Sequence, residues 1–173
     1  MLEAAILVIF PFCMLFAAIS DAVSMTIANR VSVMLVATFV AIAPFTGMPW
    51  EAIGLHLAGG AAVLAVTFAM FAIGGMGGGD AKLLAATSVW MGFGILLLQY
   101  LVYGAMLGGL LTLAILWFRG SAVSIVAGRN MFLRHFADRK AGIPYGVALG
   151  AAGLLVYPET PLMQWALARL TGL

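Results

Sequence analysis

The chain has 173 residues, of which 65% are hydrophobic and 8% charged, and a mean hydropathy of +1.17. A soluble globular domain carries about 25% charged residues, so this composition excludes one and predicts an all-α polytopic membrane protein, with no room for a separate soluble domain of ordinary size. The net charge of +2 comes from only eight basic residues and gives no indication of nucleic-acid binding, while the lone Cys13 allows neither an intramolecular disulfide nor a cysteine zinc site.

A spanning helix needs roughly 20 residues. The first apolar segment covers 3–20 and runs into Asp21; the start Met1-Leu2-Glu3 lacks the basic region of a signal peptide. Segments 31–47 and 52–74 follow, with Pro44 and Pro49 suited to the turn between them. Next comes the glycine run Gly77-Gly78-Gly79-Asp80. From Leu83 to Phe118 there are 36 residues without a charge, about 54 Å as one helix, so this stretch must fold back. Gly92-Phe93-Gly94 is the preferred turn and Gln99-Tyr100 the alternative. Residues 119–142 mix apolar side chains with Arg129, Arg134 and Arg139, and read either as a basic loop or as a helix lying on the membrane surface. Segment 142–157 is the sixth, with Pro144 in its first turn. Residues 158–173 form a C-terminal piece too short to span. The expectation is one membrane-embedded domain, 1–173, with about six spanning helices.

Basic residues orient the bundle. If Asp21 and Asp80 face the cytoplasm, so do Arg30, Lys82, Arg119, Arg129, Arg134, Arg139 and Lys140, leaving only Arg169 outside, as the positive-inside rule favours. The N-terminus then faces outward.

The two aspartates carry the functional signal, because a carboxylate at a membrane boundary is costly unless it is used. Two apolar segments separate them, and an even number of crossings returns the chain to the same face. A carboxylate pair can hydrolyse a peptide bond when one member is ionised, to take a proton from water, and the other protonated, to polarise the carbonyl. The glycines before Asp80 would accept positive φ and let a substrate backbone approach. The plainer alternative makes Asp80 an N-cap after a glycine turn, Lys82 a topology anchor and Asp21 an interfacial polar residue. His56 and His135 have no partners at ligand spacing and read as surface or interfacial residues.

Three stretches in order, Ser20-Asp21 with Ile27-Ala28-Asn29-Arg30, Gly77-Gly78-Gly79-Asp80-Ala81-Lys82-Leu83-Leu84, and Ile143-Pro144-Tyr145-Gly146-Val147-Ala148-Leu149-Gly150, resemble the prepilin peptidases. The likeness is to the short form found with tight-adherence (Flp-type) pilus systems, and covers roughly residues 3–157. It implies an aspartic endopeptidase of the bacterial cytoplasmic membrane that removes the basic leader of prepilin and pseudopilin precursors on the cytoplasmic side. By resemblance Asp21 and Asp80 are catalytic, Gly77 and Gly79 shape the active-site loop, and Lys82, Pro144, Tyr145 and Gly146 support it. No metal or organic cofactor is implied; the implied partners are the precursors, membrane lipid and the pilus assembly machinery. This chain has Ile27-Ala28-Asn29 where the family often has Ile-Pro-Asn. Longer relatives insert a cysteine-bearing domain after the first helix and N-methylate the mature pilin; only about ten residues fill that gap here, so methyl transfer is not expected.

Two other classes compete. A small proton-coupled transporter could use the aspartates as a relay, but would place them nearer midplane. Presenilin-type proteases share G-x-G-D but pair it with Tyr-Asp and Pro-Ala-Leu, where this chain has Ser20-Asp21 and Pro144-Tyr145-Gly146.

Overall fold

The structure is a computed structural model that describes residues 1–121, 138 and 142–172. Among these residues it is wholly helical: α1 (Leu2–Ser24), α2 (Asn29–Ile42) with a 3-10 turn (Ala43–Thr46), α3 (Trp50–Ala72), α4 (Gly78–Met91), α5 (Ile95–Gly120), α6 (Tyr145–Val156) with a 3-10 turn (Tyr157–Glu159), and α7 (Pro161–Thr171). The fold-back between α4 and α5 falls at Gly92-Phe93-Gly94, the preferred turn. Gly92 takes φ +74° there, a conformation that glycine adopts without a steric penalty, and Tyr100 lies fully buried inside α5. The alternative readings of 119–142 and the reading of His135 fall largely on residues outside those described.

Four helices are long and apolar enough to cross a membrane: α1, α2 with its 3-10 turn, α3 and α5. The remaining two expected spans are shorter, α4 with 14 residues and α6 with 12, about 21 and 18 Å long. Both lie inside the bundle, where they need not match the bilayer thickness. α4 packs on α3, α2, α6 and α5, and α6 on α1 and α5, so every residue of α4 from Ala85 to Met91 is buried.

Small residues set these contacts, as expected where helices associate by close packing and not by escape from water. On α6, a Cβ added to Gly150 would lie 2.8 Å from the Met14 carbonyl oxygen, and one on Gly153 would lie 2.9 Å from Met14 Sδ. α1 and α6 therefore meet nearly backbone to backbone. At the end of the bundle remote from the aspartates, Phe10, Trp90, Tyr157 and Phe39 form an aromatic cluster. Its polar atoms are used: Trp90 Nε1 donates to the Leu35 carbonyl at 3.0 Å, and the Tyr157 hydroxyl donates to the Ile6 carbonyl. α7 docks Leu162 and Ala166 against this region.

His56 departs from its expected place. It is buried, stacked on Phe39, and its Nδ1 lies 2.8 Å from the Val89 carbonyl oxygen, so it ties α3 to the end of α4. The sequence offered an isolated histidine on an apolar helix; only the α3–α4 packing supplies its partner. A Cβ at Gly92 would fall 2.8 Å from the His56 ring. Gly92→Ala combines that clash with a left-handed φ and is expected to cost more than about 1 kcal/mol. Gly109→Ala, whose Cβ would meet nothing within 4 Å, should be close to neutral. Thermal unfolding of the two variants in detergent checks the contrast.

Candidate active site

Asp21 stands near the C-terminal end of α1, and Asp80 in the first turn of α4, whose N-cap is Gly77. Between them α2 and α3 run out and back, so the two carboxylates return to one end of the bundle, as the even number of crossings predicted. They line a single cavity of about 240 Å³ together with Met25, Thr26, Ile27 and Gly77–Gly79.

Each carboxylate is positioned by a glycine. Asp21 is 5% exposed, and its Oδ2 accepts a 2.7 Å hydrogen bond from the Gly146 backbone N–H. Gly146 is the second residue of α6, so this N–H is one of the donors that a helix leaves unpaired at its start, where the dipole also favours a negative charge. A Cβ at Gly146 would lie 2.9 Å from both Asp21 Cβ and Oδ2, and 2.8 Å from Ile27 Cδ1. At Asp80, a Cβ on Gly77 would come within 2.9 Å of Oδ2.

The glycine run differs from expectation in its backbone. None of Gly77, Gly78 and Gly79 has positive φ; Gly77 is extended at φ −69°, ψ 140°, and Gly78 and Gly79 are already helical. Their requirement is the missing Cβ. Gly77 leaves space for the Asp80 carboxylate, Gly78 meets the Phe71 ring, and a Cβ on Gly79 would lie 3.3 Å from Ile27 Cβ.

The remaining sequence candidates divide. Gly146 contacts Asp21 directly. Pro144 is buried as the N-cap of α6, one residue before the helix and not within its first turn. Tyr145 points the other way, its ring packed on Gly108 of α5. Lys82 is exposed and donates to Asn29 Oδ1 at 3.0 Å, on a face of α4 turned from the pair.

Ile27, which sequence reasoning singled out only as part of a longer stretch, lies against both Gly79 and Gly146 and covers the cavity. Its segment, Met25–Ala28, is held by short-range polar contacts. Ser20 Oγ donates to the Thr26 carbonyl at 2.9 Å, and the Ser24 and Thr26 hydroxyls lie 2.8 Å apart. Met25 carries φ 54°, the one non-glycine positive φ among the described residues, which turns the chain sharply after α1. A serine-rich helix end was the available signal, but it did not say which loop residue would cover the site. Among the described residues no group of three His, Cys, Asp or Glu side chains is placed to hold a metal ion.

Comparison with curated proteins and with solved structures gives no match. A sequence model of the type IV leader peptidase family matches residues 8–113, which includes Asp21, the glycine run and Asp80 and ends before α6. That match covers more than half of the protein, and the chain belongs to the type IV leader peptidase family.

Proposed function

We propose that the protein is an aspartic endopeptidase that removes the leader of Flp-type prepilins and pseudopilins at the cytoplasmic face of the bacterial inner membrane, with Asp21 and Asp80 as its catalytic residues. The observation that carries this reading is the shared cavity: two carboxylates from separate helices, each with a glycine where any side chain would displace it. One carboxylate takes a proton from the attacking water while the other, protonated, donates to the scissile carbonyl. The tetrahedral intermediate collapses as the leaving amine is protonated. The glycine run lets the Asp80 carboxylate, the Phe71 ring and Ile27 close in around the Asp80 side of the cavity. No metal or organic cofactor enters this scheme.

The cytoplasmic placement follows from the positive-inside distribution of lysine and arginine. The short α1–α2 connection, with Met25–Ala28 alone joining the two helices, supports a reading without methyl transfer. The membrane supplies lipid contacts for the exposed apolar faces, and association with the pilus assembly machinery would bring the precursors to the site.

The test is incubation of the purified protein with an Flp-type precursor in phospholipid vesicles, read by gel shift and N-terminal sequencing. Cleavage just before the apolar helix, with no methyl incorporation from S-adenosylmethionine, is the expected result; an intact precursor beside well-folded protein would count against the reading. Because the mechanism needs one ionised and one protonated carboxyl, kcat/KM is expected to be bell-shaped in pH. It falls in acid as the base gains a proton, and in alkali as the acid loses one. A profile with no alkaline limb up to the pH at which the protein unfolds would remove the general acid from the scheme.

A further inference from the structure

Two lateral grooves reach the aspartate end of the bundle. One, of about 430 Å³, lies between α3 and α5 and is walled by bulky side chains such as Met70, Met76, Phe93 and Tyr145. The other, of about 730 Å³, lies between α2 and α3. These two helices pack on α4 and hardly on each other, so α4 forms the floor. That floor is made of Ala85, Ala86 and Val89 of α4 beside Gly60 and Ala61 of α3; the alanines allow another helix to approach closely, while the space at Gly60 is taken by Val89.

The head of the larger groove is polar and lies at the level of the catalytic pair. Lys82 follows Asp80 by two residues, about 3 Å of axial rise, and its bond to Asn29 closes the upper rim. One turn further along α2, Ser32 also lines the groove, and its hydroxyl is shielded from solvent and has no hydrogen-bond partner. Along α2 the groove runs from Asn29 to Val40, about 16 Å or three helical turns.

We propose that this α2–α3 groove seats the apolar helix that follows the scissile bond of the precursor, an inference that rests on the peptidase reading above. A helix entering the groove starts at the level of the carboxylates, so the residues before it cross Met25–Ala28 into the aspartate cavity. The first turn of a helix leaves four N–H groups without intrahelical partners, and Ser32 Oγ and Asn29 Oδ1 are acceptors at that height. The groove head at Asn29, next in sequence to the Met25–Ala28 segment whose Met25, Thr26 and Ile27 line the aspartate cavity, the three-turn depth and the unpartnered hydroxyl favour this groove over the one walled by Met70 and Phe93.

The test is photo-crosslinking in vesicles of phosphatidylethanolamine and phosphatidylglycerol, with Asp80→Asn present to keep the precursor uncut. p-Benzoylphenylalanine substituted for Val36 is expected to capture the apolar helix of the precursor, and the same probe substituted for Ala105, in the smaller groove, is not. Capture at Ala105 alone, capture of phospholipid alone at Val36, or capture at neither position would overturn the proposal. In the otherwise wild-type enzyme, Ala61→Trp fills the groove from an exposed position and is expected to raise KM about tenfold with little change in kcat, the signature of lost substrate binding. Ala105→Trp should leave both within about twofold. An unchanged KM in Ala61→Trp would also overturn the docking site. If wild-type protein fails to cut the precursor at all, it is the peptidase reading that fails, and the two failures are distinguishable.

Discussion

Asp21→Asn and Asp80→Asn are each expected to lower kcat for precursor cleavage by about 10³-fold or more, with little change in thermal unfolding. Asparagine keeps the shape of aspartate but neither accepts a proton from water nor donates one as a carboxylic acid. The fold should tolerate both changes. At position 21 the asparagine carbonyl can still accept the Gly146 N–H that now reaches Oδ2 at 2.7 Å, and Asp80 is only partly buried at the rim of the cavity. In the proposed mechanism the two carboxyls act as a unit, so the double variant should be scarcely worse than either single one. Single-turnover cleavage by the three proteins measures this directly. Losses that multiply in the double variant would mean that the aspartates act independently, and substantial activity in either single variant would remove that residue from the chemistry.

Gly146→Ala is expected to reduce kcat by about 10²-fold, the scale on which a displacement of 1 Å at a reacting group is felt. The added methyl would sit 2.9 Å from the Asp21 carboxyl and 2.8 Å from Ile27. Neither neighbour yields easily, because Asp21 is held within α1 and Ile27 is pressed on Gly79. The carboxyl must move away from the N–H that orients it. Gly94→Ala supplies the control. Its Cβ would meet nothing within 4 Å, and its φ of 173° is extended backbone open to any residue, so activity and stability should both hold. Gly150→Ala separates packing from catalysis. Its methyl would strike the Met14 carbonyl at 2.8 Å, two turns from the aspartates along α1, so it should lower the unfolding temperature more than it lowers kcat in the surviving folded protein. Equal kcat for Gly146→Ala and wild type would show that Asp21 does not depend on α6.

Much of this was legible in the sequence because membrane insertion imposes coarse, one-dimensional constraints. Runs of apolar residues located the helices, a charge-free stretch too long for one span demanded the turn that falls at Gly92, and counting crossings brought Asp21 and Asp80 to one end. The motif carrying Asp80 marked the start of α4. The resemblance to the prepilin peptidases agrees with the family match and drew attention to Gly146, whose contact with Asp21 spans 125 positions and leaves no periodic trace.

The tertiary structure decided what depends on distances between helices. It made α4 and α6 short interior helices, buried His56 on a carbonyl of α4, turned Lys82 from Asp80 toward Asn29, and laid Ile27 across the cavity. It also changed the reason for the glycine run, from positive φ to the space a Cβ would occupy. Hydropathy records which residues leave water, and so determines that the chain enters a membrane and roughly where it crosses. Which side chain faces which follows from the axial offset and rotation of each packed helix, and those are set only when glycines such as Gly150 and Gly60 allow neighbouring backbones to close to contact.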